Sequence, residues 1–417
     1  TYFLRNGLMR FKRSCTNLGF YVNKHISKPL SFFAIILTLT GTLHLGFKYE
    51  KWKGDRIIIS DVITYYSYLP AALIYQDLGF GFVKDMPEDV IKRIWVIKSP
   101  IGKPVQKVTM GNAVCWSPFF AIGHLWATLS DDYENHGYSL PYSFMIFIAA
   151  LFYVAIGLIY LRKFLLLFFK DGPVAIVLIL SVLATNLLLY IIMMPGMSHA
   201  INFALIIIFL YYAHKWLIKP TWKKSLIIGL ILGLITLIRP SNALIVLFPA
   251  VYFLLQKGGF QIKLSFIGKY LLHFVFIAIL IFIVLSPQLF YWKTYTGSWF
   301  YYSYGNERFF FNNPHIIEGL FSYRKGWLVY TPVMFLSIFG LFFLWKKDWR
   351  LAITIIVFSL INFYIIFSWW CWWYGGSFGA RPLIDTYGIY AISMTAFFQF
   401  FLSRRLWLRI AFIILAG

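Results

Sequence analysis

Stretches such as FIAALFYVAIGLIYL, residues 147 to 161, constrain the fold more than any other feature of this sequence. An α-helix needs about 17 to 25 apolar residues to cross a hydrocarbon layer about 30 Å thick, and runs approaching that length recur along the chain. In lipid every backbone amide must find an internal partner, so a chain built from such runs folds as a helix bundle. Of 417 residues, 60% are hydrophobic and 13% charged, which fits the same class. The expectation is an all-α, polytopic transmembrane bundle of about eleven spans. They lie near residues 31 to 47, 140 to 161, 174 to 194, 199 to 214, 225 to 238, 243 to 255, 269 to 291, 327 to 345, 351 to 368, 386 to 402 and 406 to the end. Residues 1 to 30 form an N-terminal segment, and residues 31 to 417 a single membrane domain.

The loops between these runs carry the orientation. Arg5, Arg10, Lys12, Arg13, Lys24 and Lys28 precede the first run, and the positive-inside rule holds them in the cytoplasm. No cleavable leader pattern stands before the first run, so residues 1 to 30 read as a cytoplasmic tail. Residues 48 to 139 then become a long external loop. Later loops alternate: LRKFLLLFFKDG, HKWLIKPTWKK, QKGGFQIK, WKKDWR and SRRLWLR are basic, whereas PGMSH, RPSN and WWCWWYGGSFGARPLID are much less so. The apolar segment at 113 to 129 would invert this alternation if it crossed alone. It is therefore expected to lie along, or dip into, the outer leaflet, the alternative being a crossing paired with residues 62 to 82, which Asp61, Pro70 and Asp77 interrupt; residues 62 to 76 and 87 to 97 are expected to form amphipathic surface helices.

The net charge of +23 does not point to nucleic acid, because the basic residues are scattered over short loops and form no continuous stripe. Cys15, Cys115 and Cys371 are far apart and show neither disulfide-framework nor zinc-ligand spacing. A GxxxxGK[ST] phosphate loop is missing, which argues against an ATP-driven pump.

Of the 15 acidic residues, only Asp171 and Asp348 fall in loops expected to be cytoplasmic. Chemistry is thus expected on the external side. Asp61, in RIIISDVITYYSYLP, stands at a helix start between an apolar run and a tyrosine cluster. It can cap that helix, and a carboxylate partly desolvated at the bilayer edge can also act as a general base. Tyr65 and Tyr66 would wall the pocket beside it. Other external segments contribute His199 with Ser198, Arg239 beside Asn242, Arg324 with Lys325, and Arg381 with Asp385. Convergent arginine and lysine side chains are what a phosphate or diphosphate requires, although an arginine at a span end can equally be an interface anchor. Trp373 and its neighbours in SWWCWWYGG suit either an aromatic belt or a platform for a sugar ring. Asp131 and Asp132 are the weak candidates for a divalent metal, which nothing else in the sequence supports.

At these residues the sequence resembles GT-C glycosyltransferases, polytopic enzymes that take a sugar from a polyprenyl-phosphate carrier at the outer membrane face. The branch it resembles includes protein O-mannosyltransferases and aminoarabinose transferases. SDVITYY is similar to the start of that family's first external loop, which implies that Asp61 is the essential acid. SPFFAIGHL resembles its surface-helix element. YRKGWLVYTP and WYGGSFGARPLID resemble its later external loops, which implies that Arg324, Lys325 and Arg381 hold the carrier phosphate. Two positions depart from the pattern: Val62 stands where a glycine is common, and Ser198 and His199 stand where related enzymes carry a further acid.

The implied function is transfer of a sugar from a polyprenyl-phosphate donor to an extracytoplasmic protein, glycan or lipid acceptor, probed most directly at Asp61. The implied setting is a bacterial inner membrane, with membrane lipids and a membrane-complex subunit as partners and no nucleic acid. Two other classes compete. A sugar-lipid transporter or flippase would carry charges in mid-span, which are nearly missing here, and a catalytically silent GT-C-like subunit would keep the scaffold alone.

Overall fold

The computed structural model describes residues 28 to 54 and 56 to 403. They are mostly helical. Among them, the strands are limited to Ile97–Lys98 and Pro104–Val105, which pair antiparallel in one hairpin. Five helices are long and apolar enough to cross a membrane: Pro29–Tyr49, Leu140–Leu165, His199–Ile218, Leu271–Thr296 and Trp349–Phe367. The basic tail before Lys28 and the apolar run from 406 lie outside the described residues.

Several runs expected as single spans are interrupted. The 174 to 194 run is divided into Asp171–Leu183 and Leu187–Ile192, with Thr185 and Asn186 at the break. The 243 to 255 run begins as the 3₁₀ segment Pro240–Val246 and continues as Leu247–Leu254. The 327 to 345 run becomes Trp327–Tyr330, a 3₁₀ turn at Pro332–Met334, and then Phe335–Lys347. Hydropathy records burial but not backbone continuity, and Pro240 removes an amide just before one run while Pro332 removes one inside the other. The expected 87 to 97 surface helix shrinks to Glu88–Ile91, because the chain turns into the hairpin at Ile97. Residues 62 to 76 form two short helices, Asp61–Tyr66 and Tyr68–Leu73.

Two other prolines are accommodated without a break. Pro118 lies inside Gly111–Leu129 and Pro287 inside Leu271–Thr296. A helical proline frees the carbonyl four residues earlier, and here the preceding serine fills the vacancy. Ser117 Oγ donates to the Val114 carbonyl at 2.9 Å, and Ser286 Oγ to the Ile283 carbonyl at 2.8 Å.

Close helix contacts use small residues, the usual device where water supplies no drive for helices to associate. Gly229 and Gly233, one turn apart on Trp222–Ile238, face Leu280 and Val284 of Leu271–Thr296, where an added Cβ would lie 2.8 Å from each neighbour. Gly340 lets Phe335–Lys347 meet the backbone of Tyr387–Leu402, since its Cβ would overlap the Ser393 carbonyl.

The two ends of the bundle differ chemically. At one end Asp171 accepts from the backbone amides of Leu30 and Ser31 at 2.9 and 3.3 Å, and from Ser31 Oγ, so it caps a helix remote in sequence. Arg162 Nε donates to the same Ser31 Oγ at 2.7 Å. Asp348 caps its own helix, accepting from Arg350 and Leu351 amides. Both acids expected in cytoplasmic loops therefore satisfy helix N-termini, where the free amides and the helix dipole favour a carboxylate.

At the opposite end, Gly111–Leu129 packs along the N-terminal half of Leu140–Leu165, from the Trp126–Phe144 contact to the bond from Tyr153 Oη to the Cys115 carbonyl at 2.8 Å. It does not run the length of that helix. Residues 308 to 315 and 367 to 370 hydrogen-bond to each other through Phe310 N to Ser368 O, Trp370 N to Arg308 O and His315 N to Phe367 O. This joins two loops that the sequence separates into a cover over the end where Asp61 sits.

Candidate functional site

Asp61 opens the helix Asp61–Tyr66, but its side chain does not cap it. Ser60 occupies the cap position with φ 52°, in the left-handed region that non-glycine residues avoid, and no side-chain cap bond forms. The Asp61 backbone carbonyl accepts from Thr64 Oγ1 at 2.7 Å, while its carboxylate turns away to Arg381, whose Nη2 donates to Oδ2 at 3.0 Å. Strain of this kind persists only where the surroundings enforce it. Ile57 and Ile58 before it are buried, as is Val62 after it, so the segment is anchored on both sides. Val62 packs on Gly196, where a Cβ would lie 2.3 Å from Val62 Cγ1.

Arg381 begins the 3₁₀ segment Arg381–Thr386. Its guanidinium is mostly covered, and Nη1 approaches the weak acceptor Met197 Sδ at 4.0 Å. One turn later Asp385 is fully buried and saturated. It accepts from His199 Nδ1 at 2.7 Å, Asn202 Nδ2 at 3.1 Å and Asn242 Nδ2 at 2.7 Å, with Arg239 Nη1 at 3.7 Å. Ser198 and His199, expected in an external loop, are instead buried at the start of His199–Ile218, and the imidazole serves the carboxylate. Asp385 thereby fixes Arg239, which also lies over the Tyr374 ring at 5.8 Å from its centroid.

Phenols complete the cluster. Burial raises the Tyr65 pKa, with Asp61 adding to the effect and Arg239 and Arg381 opposing it. Tyr374 is pushed up to about 12, again first by burial, with Arg239 and Arg381 pulling it down. Tyr304 is raised by burial and by Tyr65, against Arg239. All three stay protonated at neutral pH and remain hydrogen-bond donors. At Arg239 burial is the largest influence and opposes the charge, but Asp385 together with Tyr374, Tyr65 and Tyr304 outweighs it, so its pKa is raised and the guanidinium stays cationic. Asp61, Tyr65, Arg239, Tyr304, Tyr374, Arg381 and Asp385 therefore share one electrostatic neighbourhood at one end of the bundle.

The other expected residues are placed differently. Tyr66 is buried and donates to the Gly137 carbonyl at 2.5 Å, packing against Phe120 and Tyr138. Arg324 stacks on Trp373, 3.7 Å from its ring centroid. Lys325, with φ 74°, donates to the Ser377 carbonyl. Arg324 and Lys325 bind the same WWYGGSF segment that carries Tyr374, and so hold the loop rather than join the Asp61 cluster. The loop is tied down again from below, where Phe378 N donates to Tyr190 Oη at 3.0 Å and Asn186 Nδ2 to the Phe378 carbonyl at 3.1 Å.

Asp131 and Asp132 are exposed, and Asp132 lines a separate open cleft with Asp89, Arg93, Glu134 and His136. Among the described residues, no three His, Cys, Asp or Glu side chains gather as metal ligands. The two acids in the cluster are already taken up by arginine, histidine and asparagine donors, a set that does not suit a divalent cation.

Sequence reasoning missed Tyr304, Tyr374 and Asn202 as parts of this site, and named Asn242 only as a neighbour of Arg239. Asn242 did carry a signal, since it follows Arg239 in RPSN at a span end, and Asn202 follows His199 by one short helical step. The two tyrosines had none beyond lying in external loops. Comparison with protein-family models and with curated proteins finds no match.

Proposed function

We propose that this chain is a membrane-embedded glycosyltransferase of the GT-C type, moving a sugar from a polyprenyl-phosphate donor to a hydroxyl-bearing protein, glycan or lipid acceptor. The observation that carries the reading is the half-exposed Asp61 carboxylate paired with Arg381 at 3.0 Å, with Arg239, held by buried Asp385, facing the same Tyr65. A lone acid next to two fixed cations and several protonated phenols suits an anionic leaving group on one side and a proton to be removed on the other.

In this reading the acceptor oxygen attacks C1 of the sugar from the face opposite the phosphate, and its proton passes to an Asp61 carboxylate oxygen. The C1–O bond to phosphate breaks with its electron pair staying on the phosphate oxygen, and the anomeric configuration inverts. Arg381 and Arg239 meet the charge that develops there, which matters most in the transition state. Tyr65 and Tyr304 donate to sugar or phosphate oxygens, while Tyr374, whose hydroxyl donates to the Ile366 carbonyl at 2.8 Å, walls the pocket. Arg324, Trp373 and Lys325 keep the Tyr374 loop in place.

The same reading takes the five long helices, the shorter apolar helices and the run from 406 as about eleven crossings in a bacterial inner membrane. The N-terminus is then cytoplasmic and the Asp61 end external. Binding of farnesyl phosphate and of farnesol to the purified protein, followed by quenching of tryptophan fluorescence, tests the donor class. The phosphate should bind and the alcohol should not. Equal binding of both, or of neither, removes the phosphate-donor reading.

A further inference from the structure

Asp61 and Asp385 each pair with one arginine of the cluster, Arg381 and Arg239, but are held in opposite ways. Asp385 is 0% exposed and bound from several directions by His199, Asn202, Asn242 and Arg239. The Asp61 carboxylate is 50% exposed, and among the described residues it is held by Arg381 alone. Among the described residues, the one other side-chain hydrogen bond of the Arg381 guanidinium is to Met197 Sδ, a weak acceptor, at 4.0 Å. The first arrangement is permanent scaffolding, whereas the second is a single exposed contact.

We propose that Arg381 is exchanged between Asp61 and the phosphate of the donor, so that the carboxylate is released to act as a base only when the phosphate is seated. The inference rests on the proposed function and adds an order to it. Strength decides the direction of exchange. An ion pair with a half-exposed partner is weak and screened, whereas arginine and phosphate form a bidentate, charge-assisted contact. Phosphate therefore wins Arg381. While Arg381 holds Asp61, the carboxylate lone pairs face a cation and accept a proton poorly; once it lets go, they face the space where the acceptor hydroxyl arrives. Arg239 does not take part in the exchange, because buried Asp385 keeps it in place whether or not a ligand is present. Donor binding thus precedes activation of the acceptor.

A double-mutant cycle on farnesyl phosphate affinity tests this, with the wild type, Asp61→Asn, Arg381→Ala and the double variant in the same detergent. Removing the competitor should tighten binding about three- to fivefold in Asp61→Asn. The gain should vanish when Arg381 is replaced, whether the Arg381→Ala proteins bind weakly or not at all. An equal gain with and without Arg381 would mean that Asp61 merely repels the anion, and no gain in either would mean no competition; each overturns the exchange. If the wild type binds farnesyl phosphate no better than farnesol, the glycosyltransferase reading fails and the exchange falls with it. If the wild type prefers the phosphate but Asp61→Asn gives no gain, the exchange alone fails. Asp61→Ser and Arg381→Gln replace any variant that does not melt cooperatively.

Discussion

Asp385 Oδ1 lies 2.7 Å from Nδ1 of His199, two buried side chains brought together across 186 positions of sequence. This contact ties the Arg381–Thr386 segment to the start of His199–Ile218, and through Asn242 and Arg239 to the end of Trp222–Ile238. One carboxylate thereby joins three parts of the bundle directly beneath the proposed phosphate site. Replacing Asp385 with Ala leaves the Arg239 charge and three neutral donors without an acceptor, so stability should fall by roughly 3 kcal/mol or more. Thermal melting in detergent measures it. A melting temperature within a degree of the wild type would show that Asp385 is dispensable to the fold.

Asp61→Asn tests the chemistry. The amide keeps the size of the side chain and can still accept from Arg381, but it cannot take a proton. The protein should fold normally and bind the lipid phosphate, while transfer falls by roughly 100-fold or more. Sugar transfer from a polyprenyl-phosphate donor at the wild-type rate would leave Asp61 as an ion-pair partner only.

The opposite end of the bundle offers a purely structural contrast. Asp171 accepts from the first amides of Pro29–Tyr49 and from Ser31, which also receives Arg162. Asp171→Ala should cost about 1 to 2 kcal/mol, as loss of a good helix cap does, and Asp171→Asn less. Farnesyl phosphate affinity in the folded protein should not change. A change in affinity at constant fold would indicate that the two ends are coupled.

Orientation is open to chemical labelling. Asp131 is exposed in the segment expected outside, and Cys115 is buried while Cys371 is partly accessible. An Asp131→Cys variant made in a Cys371→Ser, Cys15→Ser background should react with a membrane-impermeant thiol reagent in intact cells. Reaction only after permeabilisation reverses the proposed sidedness of the whole molecule.

The sequence by itself determined the class of fold, because the length of an apolar run and the demand for internal backbone bonding are local properties. Loop charge set apart Asp171 and Asp348, and both prove to be helix caps. The odd setting of Asp61 was also legible, since a carboxylate between RIII and YYSY conflicts with its surroundings in the sequence alone. What the sequence could not decide was where an apolar run breaks, as at Asn186 and Pro332, because hydropathy is blind to backbone geometry. Nor could it choose among external cations. Arg324, Lys325, Arg381 and Arg239 look alike as charges near a boundary, yet packing turns the first two onto Trp373 and Ser377 and the last two toward Asp61 and Asp385. Tyr304 and Tyr374 reach the same neighbourhood only because two loops pair through Phe310, Ser368 and Trp370. Burial of a polar group is strongly favoured only with a partner in place, and which partner it meets depends on how helices far apart in sequence cross. That choice belongs to the tertiary structure.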